Sequence, residues 1–120
     1  MKNSADNLKE RRNLQKILKQ LEKWHKGPPE IPIKDVAKVM KSLDVEFLPM
    51  TQGVKRNYSH ELLRDPNKQI KEVGPDGRFG CHQKHPSAKD NPKFRKHDFN
   101  RYIYKALNEI IKRKMENLDV

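Results

Sequence analysis

The residues best suited to chemistry lie in GVKRNYSHELL, residues 53–63, where the pair Ser59-His60 follows Lys55 and Arg56. An imidazole titrates near neutral pH, so it can take a proton from a ribose 2′-hydroxyl. Cations beside it can stabilise the negative charge that develops on the phosphate. The stretch therefore favours a nucleic-acid partner and makes His60 a candidate general base for metal-independent cleavage of RNA. The alternative is that His60 simply lies on the solvent face of a strand and takes no part in catalysis.

A second group of reactive side chains lies in CHQKH, where Cys81, His82 and His85 follow closely on one another. Structural zinc sites normally use two spaced pairs of ligands, and this stretch offers one cluster. Cys81 shares a predicted strand face with Phe79 that points into the core, so we expect no metal and no other cofactor. His82 faces the other way, and we expect it to approach His60 across a strand pair, as a second acid/base or as a phosphate ligand.

The charge of the chain predicts a polyanionic partner. It carries 27 Lys+Arg against 16 Asp+Glu, a formal net charge of +11. Ten of these cations, against three acids, fall between residues 84 and 114, and their run 89–96 leads into a predicted helix start, which favours phosphate. With the cations near His60, the residues expected to contact RNA are Lys55, Arg56, His82, Lys89, Lys93, Arg95, Lys96, Arg101 and Lys105. The alternative is a solvated charged face.

The compartment is predicted from what the chain lacks. Cys81 is its single cysteine, so no intrachain disulfide can form and a reducing environment is expected. The first residues contain no apolar signal region, and no run of 18 apolar residues occurs. We therefore expect a cytoplasmic protein without a membrane partner.

Three helices and three strands are predicted to position these residues. Apolar residues at helical spacing predict helices over 4–25, 33–43 and 98–115. Short segments rich in β-forming residues predict strands over 45–50, 54–63 and 77–84, followed by a polar loop over 85–96. This order predicts an α+β fold, in which the second and last helices cover one face of a three-stranded antiparallel sheet. We divide the chain into an N-terminal amphipathic helix (1–27) and the α+β domain (28–120).

Four stretches carry a resemblance to a known family: LQKILKQL, IPIKDVAKVMKSLDVEF, SHELL and HDFNRYIYKALNEII. In order and spacing they resemble the HicA toxins, small ribonucleases of toxin–antitoxin pairs. The resemblance implies an α-β-β-β-α fold like that of double-stranded-RNA-binding domains, here with an extra N-terminal helix. It also implies mRNA cleavage by a His and control by an acidic HicB-like antitoxin.

The sequence departs from the family at the catalytic motif. Family members have Gly-Ser-His at the start of the second strand, whereas here Gly53 is followed by Val54-Lys55 and the Ser-His pair comes later. Aligning on Ser59-His60 keeps the imidazole, and aligning on Gly53 puts Lys55 in its place. The first alignment, which we prefer, predicts a toxin-type ribonuclease. The second predicts a non-catalytic RNA- or DNA-binding module. The N-terminal helix can cap the domain, mediate dimers or receive an antitoxin.

Overall fold

The computed structural model describes residues 4–51, 55–84 and 90–118. Its helices are α1 (Ser4–Lys26), α2 (Ile33–Ser42) and a C-terminal helix made of three consecutive segments: α3 (Lys96–Asp98), a π-helical segment (Phe99–Tyr104) and α4 (Lys105–Leu118). Its strands are β1 (Glu30–Pro32), β2 (Glu46–Thr51), β3 (Lys55–Ser59), β4 (Arg78–His82) and β5 (Lys93–Arg95). A short 3-10 turn (Glu61–Leu63) follows β3.

The larger sheet is antiparallel with strand order β2-β3-β4, which confirms the predicted α+β class and three-stranded sheet. Tyr58 lies opposite Phe47 on one side and Phe79 on the other. Tyr58 and Phe79 are buried, as is Cys81 on the same face, whereas Phe47 on the edge strand is exposed. One face of the sheet therefore packs into the core. The predicted second strand ends early, at Ser59, because the chain then enters the 3-10 turn.

A second, two-stranded sheet was not predicted. β1 and β5 pair antiparallel, so that Ile31 lies opposite Phe94, and both side chains are fully buried. Each strand has three residues with one apolar residue at its centre, which is too short for a period of two to be visible in the sequence. Part of the predicted polar loop is therefore a strand. Its pairing with β1 fixes the positions of Lys93 and Arg95.

The N-terminal helix shares the core of the rest of the chain. Leu14, Leu21 and Trp24 of α1 are buried in the same apolar cluster as Ile103 and Leu107 of the C-terminal helix. Leu14 is the first buried residue among the described side chains of α1, so residues 5–13 of the first turns add no buried side chain to the core. The fold is accordingly elongated, with principal extents of 48 × 29 × 21 Å.

Arg113, on α4, ties the long connection between β3 and β4 to the C-terminal helix. Its side chain is buried and donates hydrogen bonds to the carbonyls of Leu62 and Lys68. It also forms an ion pair with Glu109 at 3.0 Å. Val73, farther along the connection, is buried as well, so the connection packs against the fold. Among the described residues, no helix combines the length and apolarity needed to span a bilayer.

Candidate nucleic-acid interface

His60 lies at a joint between secondary-structure elements. Its side chain is 4% exposed, and its Nε2 lies 2.7 Å from the carbonyl oxygen of Leu43, at the end of α2. The backbone N–H of Leu62 donates to Nδ1 at 3.1 Å. A carbonyl can only accept and an N–H can only donate, so the ring is neutral with its proton on Nε2. We call His60, Leu43, Leu62 and Gly77 the His60 joint.

Gly77 closes the joint from the side of β4. The backbone N–H of His60 donates to the Gly77 carbonyl at 3.2 Å. Gly77 has φ 80°, and a Cβ there would lie 2.5 Å from the His60 carbonyl oxygen, so both the conformation and the close approach require glycine. Gly77 therefore packs against the backbone of His60. On another side, His60 lines a groove of about 820 Å³ together with Ser59 and Lys114.

The joint does not support the predicted role of His60 as a general base. Both ring nitrogens are occupied by backbone groups, and a general base needs a free lone pair within reach of the proton it removes. Burial lowers the pKa of His60 from its usual value of 6.5, while the hydrogen bond to Leu43 raises it and nearby Lys114 lowers it further. The geometry gives His60 a structural role.

The expected approach of His82 to His60 is wrong. The register places His82 opposite Lys55, at the far end of β3, while His60 follows Ser59 at the near end. Five residues of extended chain separate the two ends of this strand, which corresponds to about 17 Å. The two imidazoles therefore cannot act on one phosphodiester.

Several predicted residues do meet around a groove of about 440 Å³ beside β4, lined by Lys55, Asn57, Glu72, Gly74, Arg78, Phe79, Gly80, Cys81, His82 and Tyr102. His82 is exposed and lies beside half-buried Lys55. At the rim, the Arg101 guanidinium stacks over the Tyr102 ring at 5.2 Å. Lys105 reaches the groove through its 2.9 Å ion pair with Glu72, and this hydrogen bond lowers the pKa of Glu72. The pairing neutralises part of the positive charge expected here.

Arg56 turns toward the inner face of the sheet. It lies opposite buried Cys81, and its guanidinium donates to the side-chain oxygen of Gln83 at 3.3 Å. Burial raises the pKa of Cys81 to about 12, as expected for a thiol that packs as a small apolar group. Arg56 is therefore separated from Lys55 by the plane of the sheet.

The cations of β5 and its flanks lie near the end of α1. Lys93 is 3.9 Å from Glu30, which also binds Lys84. Lys96 donates from Nζ to the carbonyl of Lys26, the last residue of α1, at 3.1 Å. Arg95 is exposed, and Lys89 lies outside the described residues. The predicted phosphate-binding residues thus occupy two separate places, the groove and the end of α1.

A larger cationic feature was missed by the prediction. Six exposed cations follow one another along α1 at intervals of three and four residues. They are Lys9, Arg12, Lys16, Lys19, Lys23 and Lys26, and we call them the α1 row. At 3.6 residues per turn, this spacing places them on one face, opposite the buried stripe of Leu14, Leu21 and Trp24. The spacing is visible in the sequence, but the N-terminal helix was expected to cap the domain, mediate dimers or receive an antitoxin.

Among the described residues, most of the α1 row makes no ion pair. Lys26 lies 3.8 Å from Glu22. Within residues 4–51, 55–84 and 90–118, the other five cations of the row have no acidic partner. The row spans 17 residues of helix, which is about 25 Å. At its C-terminal end it meets Lys96, because this side chain binds the last carbonyl of α1.

The residues that the structure describes include no group of three His, Cys, Asp or Glu that can hold a metal ion. His85 of the CHQKH cluster lies outside them. Comparison with protein-family models, curated proteins and solved structures found no match for this chain.

Proposed function

We propose that this protein is a nucleic-acid-binding domain that acts without cleaving its ligand. The observation that carries the proposal is the α1 row, in which five neighbouring exposed cations have no acidic partner among the described residues. Side chains held in water on one face of a helix contribute little to stability, since isolated surface charges have small effects on folding. A row of this kind is typical of a surface that binds phosphates.

The opposite face of α1 limits the kinds of polyanion that the row fits. A helix that lies on a membrane inserts its apolar side into the lipid. In α1 that side is already covered, because Leu14, Leu21 and Trp24 are in the core. Among the described residues of α1, Leu8 is the one large apolar side chain that is exposed. The exposed surface of the helix therefore offers charge with a single apolar side chain, which favours nucleic acid over a bilayer.

The proposal is tested by measuring affinity for nucleic acids of random sequence over a range of salt concentrations. Each neutralised phosphate contributes about −0.9 to the slope of log K against log salt on a duplex. Full use of the α1 row therefore predicts a slope of about −5. The absence of binding at 50 mM salt would contradict the proposal, as would a slope near zero.

A ribonuclease held by an acidic antitoxin is the second candidate. Beside the resemblance to HicA toxins, the observation that favours it is His82, whose exposed imidazole lies opposite Lys55 across the β3–β4 pair. In this hypothesis His82, and not His60, exchanges protons with the RNA, and Lys55 contacts the phosphate.

The test compares RNA cleavage by the wild type with cleavage by His82→Gln and His60→Gln. Loss of cleavage in the folded His82 variant alone supports the enzyme. The absence of cleavage by the wild type, together with salt-dependent binding, supports the binding domain. An acidic antitoxin would also be expected to compete with nucleic acid for the α1 row.

A further inference from the structure

We infer that the ligand of the α1 row is the phosphate backbone of a double-stranded nucleic acid, bound without stacking on bases. This inference rests on the proposed function and specifies its substrate class. Three features of the structure support it: the rigidity of the row, the lack of an exposed aromatic platform beside it among the described residues, and the exposure of its first residues.

The row is rigid because the helix that carries it is anchored in the core. α1 has 23 residues, and Leu14, Leu21 and Trp24 fix its second half against the C-terminal helix. Neighbouring cations on one face of a helix are about 5–6 Å apart between Cβ atoms. A duplex also holds its phosphates in fixed positions, so the two rigid arrays lose little conformational entropy on binding. A single strand has to be ordered along the row, which weakens its binding.

The aromatic side chains near the row are already packed inside the fold. Trp24 is 9% exposed and meets Phe99 edge-on at 5.9 Å between ring centroids. His25 stacks on Tyr104 at 4.3 Å. Proteins that bind single strands use exposed aromatic rings on which the bases stack. Among the described Phe, Trp and Tyr residues, Phe47 is the one with an exposed side chain, and it lies on β2. The α1 row therefore offers contacts to phosphates and none to the faces of bases.

We call residues 5–13, in the first turns of α1, the arm. Between residues 5 and 13 no side chain is buried, and Lys9 and Arg12 lie on this part of the helix. A helix with side chains is about 10–12 Å across, which fits the roughly 12 Å wide major groove of B-form DNA. The major groove of A-form RNA is too narrow, so an RNA duplex would contact the row from outside. DNA and RNA duplexes present the same phosphate chemistry. A comparison of the two affinities therefore distinguishes entry into the major groove from contact with the outside of the duplex.

The experiment uses the full chain and three variants. The row variant and the control each lose three positive charges, and the arm variant loses two. The row variant carries Lys16→Gln, Lys19→Gln and Lys23→Gln, and the arm variant carries Lys9→Gln and Arg12→Gln. The control carries Lys34→Gln, Lys38→Gln and Lys71→Gln, all exposed lysines away from α1. Circular dichroism confirms that each is folded. Affinities are measured by fluorescence anisotropy for a DNA duplex, an RNA duplex and the single strands, all of about 20 nucleotides per strand.

We expect the wild type to bind a duplex at least about tenfold more tightly than the single strands. Loss of three phosphate contacts makes the salt slope of the row variant less steep by about 2.7 and weakens duplex binding roughly a hundredfold at 0.1 M salt. The control is expected to bind within about threefold of the wild type, because surface charges away from the interface act only through a screened field. A larger loss in the arm variant with DNA than with RNA supports entry into the major groove.

The outcomes separate the two proposals. If the wild type binds single strands as tightly as duplexes, or if the row variant binds like the control, the inference about the duplex is overturned while the proposed function stands. If the wild type binds no nucleic acid, both are overturned. Binding to vesicles of anionic lipid in the absence of any binding to nucleic acid overturns both as well.

Discussion

The His60 joint and the α1 row both consist of side chains that can carry charge, but they differ in what surrounds them. At the joint, His60 is 4% exposed and both ring nitrogens bond to the backbone. On the row, Lys16, Lys19 and Lys23 extend into water with no ion pair among the described residues. A polar group whose bonding capacity is used within the fold supports the fold, and one that remains unused is available to a ligand.

The comparison teaches that residue type alone does not identify a functional site. A His beside Lys and Arg has the chemistry for cleaving RNA, yet here it accepts a backbone hydrogen bond that shapes the turn after β3. Repeated lysines on a helix are usually a solvated face. Their alignment over about 25 Å is what makes this face a candidate interface. Substitutions at the joint should therefore lower stability, and substitutions on the row should lower binding.

The largest effect on stability is expected at Arg113, which adjoins the joint through Leu62. Arg113→Met leaves the carbonyls of Leu62 and Lys68 and the Glu109 carboxylate without their cationic partner. Removing one member of a buried charged network costs about 3–5 kcal/mol. Urea unfolding measures the loss, and Lys112→Met, an exposed cation on the same helix, provides the control. If both variants lose the same free energy of unfolding, Arg113 stabilises the fold no more than an exposed cation does.

A smaller loss is expected for His60→Ala. The substitution leaves the Leu62 N–H and the Leu43 carbonyl without their side-chain partner. An unsatisfied buried group costs roughly 1–3 kcal/mol, so we expect about 2 kcal/mol less stability. Duplex affinity, measured where the variant is still folded, should stay within about twofold of the wild type. A normal stability together with a large loss of binding would reverse the assignment of the joint as structural.

The joint also predicts that stability depends on pH. Burial keeps the pKa of His60 below 6.5 in the folded state, whereas the unfolded chain takes up the proton near 6.5. The unfolded state therefore binds more protons in this range, and stability falls as the pH decreases below 6.5. Above pH 6.5 the contribution of His60 is constant. Unfolding at pH 7.5 and 5.5 should show a smaller difference for His60→Gln than for the wild type, and equal differences would contradict the prediction.

The smallest effect on stability is expected on the α1 row. In the variant with Lys16, Lys19 and Lys23 changed to Gln, another good helix former replaces three exposed side chains that have no ion pair within the described part of the chain. The free energy of unfolding should change by no more than about 0.5 kcal/mol. If unfolding shows a loss of several kcal/mol, the row belongs to the fold, and the contrast with the joint fails.

The elements of the fold were predicted better than the contacts of their side chains. The spacing of apolar residues predicted α1, α2 and the C-terminal helix, and β-forming residues predicted β2 and β4, because long stripes and alternating strands leave a visible period. β1 and β5 were not predicted, because each strand has a single buried residue, Ile31 in β1 and Phe94 in β5. The register between β3 and β4 was not predicted either, since pairing depends on partners distant in sequence. The separation of His82 from His60, which follows from that register, was therefore not predicted.

The sequence by itself determined the positive charge of this protein, the apolar stripe of each helix and the alignment of six cations along α1, because composition and helical period are local properties. The tertiary structure alone decided that the His60 ring faces the Leu43 carbonyl and that Arg56 turns inward. It also decided that the apolar side of α1 is covered by the core while the α1 row remains in water. These outcomes depend on which surfaces bury one another, and burial is settled only when distant segments pack together.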